Sequence, residues 1–433
     1  MTTPDDPSPP PSGGASSASA ASAPAFRPHL TLGLLGGIFA VHFLDRQLLA
    51  ILIPPIQAEL GLSDTAIGLL SGLAFTVFFS VVGLAIARLA DRYDRARIIT
   101  VSLALFSAMT ALCGVATGFW QLFAARVGVG VGEGGTNPAS HALIADLFPS
   151  RTRAAAMAAY GVGPHVGVLL AFGLGGWLAQ SIGWRATFVV AGVVGLALAL
   201  VAQFALRDPR TTLGSGRATP PMPMREVVRA LARSRPMRHL FAAATLAMAT
   251  VIGALTWLPT LLTRAHGASL AHAGLLLALA FGVAGAFGTY ATGRFADAVA
   301  AGDARRKGRF TAACQLALAA AWLPALLVDD SRLAVSLLLL PAVLTGAYVG
   351  PTLALMQDGA DARARAFSAA VLLFVVNLVG ASLGPLVIGL LSDALAAAYG
   401  PRSLSRAMLV LPVLAAWSAF HFHAATRAPA RQA

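Results

Sequence analysis

The chain has 433 residues, of which 57% are hydrophobic and 11% are charged, and its formal net charge is +13. A soluble domain carries about 25% charged residues. The composition therefore excludes an ordinary soluble protein and predicts an integral membrane protein.

Apolar stretches long enough to cross a bilayer, about 20 residues each, recur along the whole chain. Residues 1–27 precede the first of them; they are rich in Ser, Ala and Pro and are expected to be disordered. The sequence predicts an all-α membrane protein with twelve transmembrane helices. These predicted spans are 29–53, 64–87, 97–117, 119–147, 152–180, 184–206, 238–263, 271–296, 309–328, 333–357, 365–392 and 404–424.

Arginine is concentrated in alternate loops between the predicted spans. The loops after spans 2, 4, 6 and 8 are basic, whereas those between spans 1 and 2 and between spans 3 and 4 have no basic residue. By the positive-inside rule, the basic loops and both termini face the cytoplasm, in a multi-pass protein of the cytoplasmic (inner) membrane. The basic excess is thus a topology signal, and no nucleic-acid partner is expected.

Similar sequences follow the second and the eighth spans. Residues 87–91 read ARLAD and residues 293–297 read GRFAD, with the shared order small, Arg, apolar, Ala, Asp. Each stands at the end of the second helix in a set of six. The repeat predicts two equivalent six-helix bundles, 28–206 and 238–424, joined by a basic cytoplasmic linker, 207–237, with a C-terminal tail, 425–433.

Charged residues occur inside predicted spans 1 and 4, where a lone charge costs at least about 2.5 kcal/mol. They are Asp45, Arg46, Arg126 and Glu133, and the whole chain has only three glutamates. Arg126 and Glu133 are seven residues apart and therefore project from one face of a helix. His42 lies one turn before the Asp45–Arg46 pair. Such charges persist in a membrane by facing a polar cavity and pairing with one another.

The segment 91–95, DRYDR, resembles the loop motif between helices 2 and 3 of the major facilitator superfamily, although Ala87 and Asp94 stand where glycines are usual. Within that superfamily the chain resembles the spinster-like branch. The resemblance rests on residues 42–49 (HFLDRQLL), 130–149 (GVGEGGTNPASHALIADLFP) and 183–188 (GWRATF). The Asp-Arg pair and the Gly-Trp-Arg turn are also shared with organic-anion symporters of the superfamily.

The resemblance implies alternating access and proton-dependent movement of lysophospholipids or sphingosine phosphates. It also implies that helices 1 and 4 line the central cavity, so one cluster of Asp45, Arg46, Arg126 and Glu133 is expected. Desolvation raises the pKa of a carboxyl group and an adjacent arginine lowers it. Asp45 and Glu133 are therefore assigned to proton coupling, and Arg46 and Arg126 to an anionic head group or a carboxylate. A static ion-pair network that only fixes helix packing is the alternative.

Other polar and aromatic residues in the spans are predicted to contact the substrate. They are His42, Asn137, Thr256, Trp257, Tyr290, Tyr348, Phe374 and Asn377. The span 10 positions that correspond to Arg126 and Glu133 are uncharged, so one wall of the cavity is charged and the other is mostly apolar. Such a cavity suits an amphiphile with an anionic or zwitterionic head, although each aromatic residue could equally serve packing.

The motif after the second span and its repeat predict a conformational gate that clamps neighbouring helices at the cytoplasmic face. Its residues are Asp91, Arg92, Arg95, Arg97 and Asp297. The alternative is a solvated basic loop, because exposed ion pairs contribute little.

The sequence therefore predicts a monomeric secondary active transporter driven by the proton gradient. Its expected partners are the lipid bilayer, a small amphipathic substrate and protons, with no cofactor and no metal site. A proton symporter for small organic anions such as sugar acids, or a multidrug-type exporter, is the alternative. An enzyme is not expected, because no nucleophile–base or metal-ligand grouping is visible in the sequence.

Overall fold

The computed structural model describes residues 28–209, 224–301, 303–359 and 365–427, and every regular element in these ranges is a helix. The predicted tail 1–27, residues 428–433 of the C-terminal tail and residues 210–223 of the linker lie outside the described residues. The predicted all-α class is confirmed within the described ranges.

The first half of the chain forms eight helices, and one π-helical turn, Leu69–Leu73, joins α2 to α3. The helices are α1 Pro28–Leu60, α2 Asp64–Gly68, α3 Ala74–Arg92, α4 Arg95–Cys113, α5 Phe119–Glu133, α6 Thr136–Leu147, α7 Ser150–Tyr160 and α8 Gly163–Ala205. Helix α8 bends at Gly183, whose φ of 82° is a conformation that favours glycine. The bend separates predicted spans 5 and 6.

The second half forms eleven helices, with π-helical turns at Ala278–Ala284 and Val376–Ala381. The helices are α9 Met224–Arg233, α10 Arg235–His266, α11 Leu270–Leu277, α12 Gly285–Ala300, α13 Ala304–Leu327, α14 Ser331–Leu344, α15 Val349–Gly359, α16 Arg365–Val375, α17 Ser382–Tyr399, α18 Ser403–Ala407 and α19 Val410–Arg427. Helix α9 lies inside the predicted linker, for which no helix had been proposed. Helix α19 continues past 424 into the predicted tail.

Nine stretches of the described residues are long and apolar enough to cross a membrane, by length and composition. Two of them, Arg151–Ala205 and Phe367–Arg427, contain 55 and 61 residues. Each is long enough for two crossings at about 20 residues per crossing. Predicted span 119–147 is divided between α5 and α6, neither of which is long enough alone. The helical membrane architecture is confirmed, and the count of twelve spans stays a prediction.

The fourth and tenth predicted spans are both interrupted near their middle. Helix α5 ends at Glu133 and α6 begins at Thr136, with Gly134 and Gly135 between them. Helix α14 ends at Leu344, and α15 begins only at Val349. The interruption places Glu133 at the end of a helix in the middle of the bundle.

The glycines of α5 allow close packing on two neighbouring helices. A Cβ atom on Gly130 would lie 2.4 Å from the carbonyl oxygen of Phe75 in α3, and one on Gly134 would lie 2.8 Å from that of Phe79. A Cβ atom on Gly132 would lie 2.6 Å from the amide nitrogen of Phe106 in α4. Helix α5 therefore approaches both α3 and α4 at backbone distance, as small residues permit in membrane helices.

The two halves of the chain contact each other through α1 with α10, α2 with α17, and α8 with α11. The contacts are close: a Cβ atom on Gly72 would lie 2.3 Å from the Ser382 carbonyl oxygen, and one on Gly274 would lie 2.1 Å from that of Phe172. We call the end that holds Pro28 and Arg427 the terminal end. The opposite end, with the turns 61–63, 114–118, 267–269 and 400–402, is the distal end.

Candidate functional site

Helices α1, α4 and α5 bring charged and polar groups together at the centre of the first half. The Arg126 guanidinium of α5 donates a hydrogen bond of 2.9 Å to Asp45 Oδ2 of α1. The Thr110 hydroxyl of α4 donates to the other oxygen of the same carboxylate. Asp45 and Arg126 are each only 1% exposed. A hydrogen-bonded ion pair of this kind satisfies groups that could not otherwise remain charged away from water.

Glu133 approaches a histidine and not an arginine. His42 Nε2 lies 2.6 Å from Glu133 Oε2, and both residues are fully buried. The two atoms are not aligned as a hydrogen bond, and the remaining ring nitrogen and carboxylate oxygen have no hydrogen-bond partner among the described residues. From the sequence, arginines were the predicted partners of both carboxylates. Buried polar groups without aligned partners are costly, and they mark a site where bonding can change.

Arg46 differs from Arg126 in its surroundings. It is partly exposed and has no ion pair or hydrogen bond with a residue that the structure describes. Its guanidinium lies 4.6 Å from the centre of the Phe75 ring and 5.4 Å from that of Phe79, within cation–π range. Arg46 is also close enough to interact electrostatically with Glu133, Arg126 and Asp45. We call His42, Asp45, Arg46, Arg126 and Glu133 the buried charge cluster.

A small cavity of about 20 Å³ adjoins the cluster at the interface between the two halves. Its walls come from α1, the second predicted span, α5 and α10. The lining residues are Arg46, Gln47, Ala50, Ser71, Phe75, Arg126, Ile252 and Thr256. This volume corresponds to about one water molecule. The sequence predicted a polar cavity large enough for a head group, whereas this space beside the two arginines holds about one water molecule.

Three other predicted substrate residues make contacts that position helices. Asn137 accepts a hydrogen bond of 2.8 Å from the Tyr160 hydroxyl. The indole nitrogen of Trp257, which is fully buried, donates at 2.9 Å to the Pro385 carbonyl oxygen and so connects α10 to α17. The Tyr348 hydroxyl lies 3.7 Å from the sulfur of Met248. Thr256 borders the small cavity, but these three residues do not.

The remaining predicted substrate residues also lie outside the cavity lining. Tyr290 of α12 is 68% exposed. Phe374 is half-buried, and the Asn377 amide donates at 2.8 Å to the Leu373 carbonyl oxygen of its own helix. The structure therefore joins Thr256, but not these side chains, to the charged groups of the first half.

Arg95 is the predicted gate residue that connects several helices. Its guanidinium bonds to Asp146 at the end of α6, and its backbone N–H donates at 2.9 Å to Asp208, which follows α8. Arg97 donates only its backbone N–H to Asp94, at 3.1 Å. These contacts hold the terminal ends of helices within the first half together.

The other predicted gate residues have no described contact that connects several helices. Asp297 forms an exposed ion pair of 3.0 Å with Lys307. The side chains of Asp91 and Arg92 lie outside what the structure describes.

A polar cluster that was not predicted from the sequence joins the two halves at the distal end. Both oxygens of Asp64 accept hydrogen bonds from the Arg264 guanidinium, at 2.7 and 2.8 Å. The Ser392 hydroxyl of α17 donates to Asp64 at 2.6 Å. Asp393 accepts from the backbone N–H groups of Asp64 and Thr65 at 3.1 and 2.8 Å. We call Asp64, Arg264, Ser392 and Asp393 the distal latch.

The distal latch had a signal in the sequence. Ser63-Asp64 is a helix N-cap pattern, and Arg264 is a single arginine in loops that otherwise have few basic residues. A solvent-facing cleft of about 440 Å³ adjoins the latch. The latch residues come from both halves, so the structure is closed at this end.

Charged groups buried at the centre of a helical membrane protein, beside the contact between its two halves, are typical of secondary transporters. Comparison with known proteins agrees. The model of the Major Facilitator Superfamily matches residues 35–385. The chain belongs to the major facilitator superfamily, a family of membrane transporters and not of enzymes.

Individual relatives differ in what their names state. The chain is 34% identical over 392 residues to an "MFS-type efflux pump" of Mycolicibacterium smegmatis, which covers 89% of each protein. It is 31% identical over 180 residues, 40% of this chain and 39% of the relative, to a "Probable galactarate/D-glucarate transporter" of Bacillus subtilis. The crystal structure of a bacterial homologue of the human lysosomal transporter Spinster, inward-facing and unoccupied, superimposes with a TM-score of 0.81. That structure is 26% identical and covers 92% of this chain and 97% of its own. The predicted spinster-like resemblance is confirmed.

Proposed function

We propose that this transporter couples the movement of an amphipathic substrate with an anionic or zwitterionic head, such as a lysophospholipid, to the movement of protons. The observation that carries the proposal is the close approach of His42 to Glu133, both fully buried, next to the Asp45–Arg126 ion pair. The site lies in a cytoplasmic membrane protein whose terminal end faces the cytoplasm, as the arginine-rich loops favour.

The charge balance of the cluster supports proton coupling. With His42 neutral, the carboxylates of Asp45 and Glu133 balance the guanidinium groups of Arg46 and Arg126. One proton taken up by the His42–Glu133 pair leaves a net charge of +1 in a dry site, and an anionic head group restores the balance. Proton uptake and head-group binding then favour each other, which is the reciprocal coupling that a transporter requires.

Arg46 is the group best suited to receive the head group. It borders the cavity between the halves and has no acidic partner among the described residues, whereas Arg126 is bonded to Asp45. Phe75 and Phe79 hold the guanidinium plane without using its hydrogen-bond donors. Those donors remain available for two parallel bonds to a phosphate or carboxylate.

The second half supports an amphipathic substrate. Among the described residues, the buried acidic and arginine side chains are Asp45, Asp64, Arg126, Glu133 and Asp208, none of which lies in the second half. The buried polar residues of the second half are uncharged, for example Thr250, Thr256 and Thr260. A cavity that opens between these halves would present charge on one side and mainly apolar groups on the other. The spinster-like resemblance of the sequence implies the same substrate class.

The names of two relatives suggest a different substrate or a direction of transport. The efflux pump of Mycolicibacterium smegmatis favours export, and the Bacillus subtilis protein favours a sugar acid. The sugar-acid relationship covers 40% of the chain, compared with 89% for the efflux pump. A sugar acid also has no apolar part that would use the uncharged side of the interface.

The experiment compares two substrates in liposomes that contain the purified protein. Flux of a lysophospholipid and of a hexuronate is measured with a pH gradient imposed in either direction, for the wild type, Glu133→Gln and Glu226→Gln. Glu226 is an exposed glutamate outside the cluster and serves as the matched control. We expect a pH gradient to accelerate lysophospholipid flux in the wild type and in Glu226→Gln, but not in Glu133→Gln.

Each other outcome has a definite meaning. Gradient-driven flux of the hexuronate alone would replace the proposed substrate with a small organic anion. Retained gradient dependence in Glu133→Gln would remove Glu133 from proton coupling and favour a structural ion-pair network. The direction of the gradient that accelerates flux distinguishes export by exchange from symport.

A further inference from the structure

Helix α9, inside the segment between the two halves, has two chemically different faces. Val227 and Leu231, one turn apart, are 2% and 8% exposed. They pack into the core of the second half, and α9 contacts α10 and α16. The same helix has three exposed arginines at four-residue spacing, Arg225, Arg229 and Arg233. At 3.6 residues per turn these arginines form one row on the side opposite Val227 and Leu231.

The arginine row is part of a larger positive surface. Arg235 and Arg238, at the start of α10, are also exposed, whereas Glu226 is the single acidic residue between 224 and 238. None of these five arginines has an ion pair with a residue that the structure describes. Five positive charges so close together repel one another unless an external anion compensates them.

The position of α9 identifies the anion. Only Ser234 separates α9 from α10, which is one of the membrane-crossing stretches. The arginine row therefore lies beside the start of a membrane-crossing helix, where we expect phospholipid head groups. An amphipathic helix with an apolar face against the protein or the acyl chains and a basic face toward the head groups is the known arrangement for binding anionic lipid surfaces.

We propose that α9 is a binding surface for anionic phospholipid head groups of the leaflet at the terminal end. The head groups neutralise Arg225, Arg229 and Arg233, and they hold α9 against α10 and α16. Each arginine near an anionic surface contributes about fivefold in affinity, so the row of three contributes on the order of 100-fold. This surface is separate from the buried charge cluster, and the proposal does not depend on the transported substrate.

The test measures lipid binding to the full-length protein in neutral detergent. Phosphatidylglycerol and phosphatidylcholine are titrated, and bound lipid is counted by native mass spectrometry at low and at high salt. The variant is the triple substitution Arg225→Gln, Arg229→Gln, Arg233→Gln. The matched control is Arg305→Gln, Arg306→Gln, Arg309→Gln, which removes three exposed arginines from the start of α13 at the same end.

We expect the wild type and the control to bind phosphatidylglycerol in preference to phosphatidylcholine, and the preference to weaken at high salt. The α9 variant should lose on the order of 100-fold in phosphatidylglycerol affinity. A triple Arg→Lys variant should retain most of the binding, because head-group attraction here depends mainly on charge. The thermal unfolding temperature, measured without added lipid, verifies that each variant is folded. If the Gln variant is unfolded, lipid binding is compared between the wild type and the Lys variant.

Three results would overturn the proposal. Equal loss in the α9 variant and in the control would indicate general charge and not a surface on α9. Equal wild-type binding of the two lipids would show that another group, such as an acidic protein segment, covers the arginines. Loss of binding in the Lys variant would show that the arginines serve a specific contact and not the leaflet.

Discussion

The Asp45–Arg126 ion pair connects α1 to α5 where both side chains are almost completely buried. Such a pair contributes little net stability compared with apolar residues, because both charges have lost their water. Removal of one partner is different, since it leaves the other charge buried and unbalanced. The pair is therefore sensitive to single substitutions and tolerant of paired ones.

Asp45→Asn and Arg126→Gln should each destabilise the protein by about 3–5 kcal/mol. The double variant should be more stable than the two single effects predict, because neither charge remains unpaired. The measurement is a double-mutant cycle on unfolding in detergent. The exposed pair Arg402 and Asp329, 3.2 Å apart, is the control, and its cycle should give about 0–1 kcal/mol. Additive effects at Asp45 and Arg126 would show that the two groups act independently.

Among single residues, the sequence predicted which charges meet but not which groups pair. The spacing of Arg126 and Glu133 placed both on one face of a helix, and the structure brings both to the cluster. The partner of Glu133 is His42, because α5 ends at Glu133 and its last turn approaches α1 one turn before Asp45. Helix rotation and helix ends decide such pairings, and neither can be read from residue spacing.

At the level of helices, α5 depends on its alternating glycines. Gly130 and Gly134 face α3, while Gly128 and Gly132 face α4. A close approach on both sides fixes the rotation of α5 about its axis, and that rotation orients Arg126 and Glu133 toward α1. Packing of small residues thus determines the geometry of the charged groups.

Gly130→Ala should destabilise the protein by about 1–3 kcal/mol, because its methyl group would meet the Phe75 carbonyl oxygen at 2.4 Å. Gly36→Ala is the matched control, since a Cβ atom there meets nothing within 4 Å and alanine favours the helix. Thermal unfolding in detergent compares the two variants. Equal stability of both would mean that α5 shifts at no cost and that the glycines do not set its position.

The glycine spacing around α5, with pairs four residues apart, is typical of helices in close contact, and the structure places the two pairs on different faces. It did not predict the interruption at Gly134–Gly135 or the break between Leu344 and Val349. Both lie inside segments that were predicted as single membrane spans, where composition indicates only that the segment crosses the bilayer. Helix α9 was missed for a different reason. Its arginines were interpreted as a topology signal, although Val227 and Leu231 already had helical spacing.

At the scale of the whole molecule, the distal latch connects the two halves through hydrogen bonds between charged and polar groups. Asp64 of the first half accepts from Arg264 and Ser392 of the second, and Asp393 accepts from the start of α2. By contrast, Arg95 and Asp146 join helices within the first half at the terminal end. Alternating access requires that contacts between the halves break at one end as others form at the opposite end.

Asp393→Asn should favour opening at the distal end, because a neutral amide accepts less strongly than a carboxylate from the backbone N–H groups of Asp64 and Thr65. We expect a change of about 1–2 kcal/mol, or about 5–30-fold in the ratio of open to closed states. The measurement is the distance between spin labels at Thr117→Cys and Ala398→Cys, two exposed positions on different halves. The background protein lacks the native cysteines Cys113 and Cys314.

The matched control for the latch is Asp329→Asn, which removes an exposed carboxylate at the same end whose partner, Arg402, lies in the same half. Asp393→Asn should add a population with a longer label separation, whereas Asp329→Asn should leave the distance distribution of the wild type. Identical distributions for all three proteins would mean that the close glycine contacts, such as Gly72 with Ser382, keep the distal end closed without the latch. Because the substitution leaves the buried charge cluster intact, a change in distance would arise from the contact between the halves and not from altered protonation at their centre.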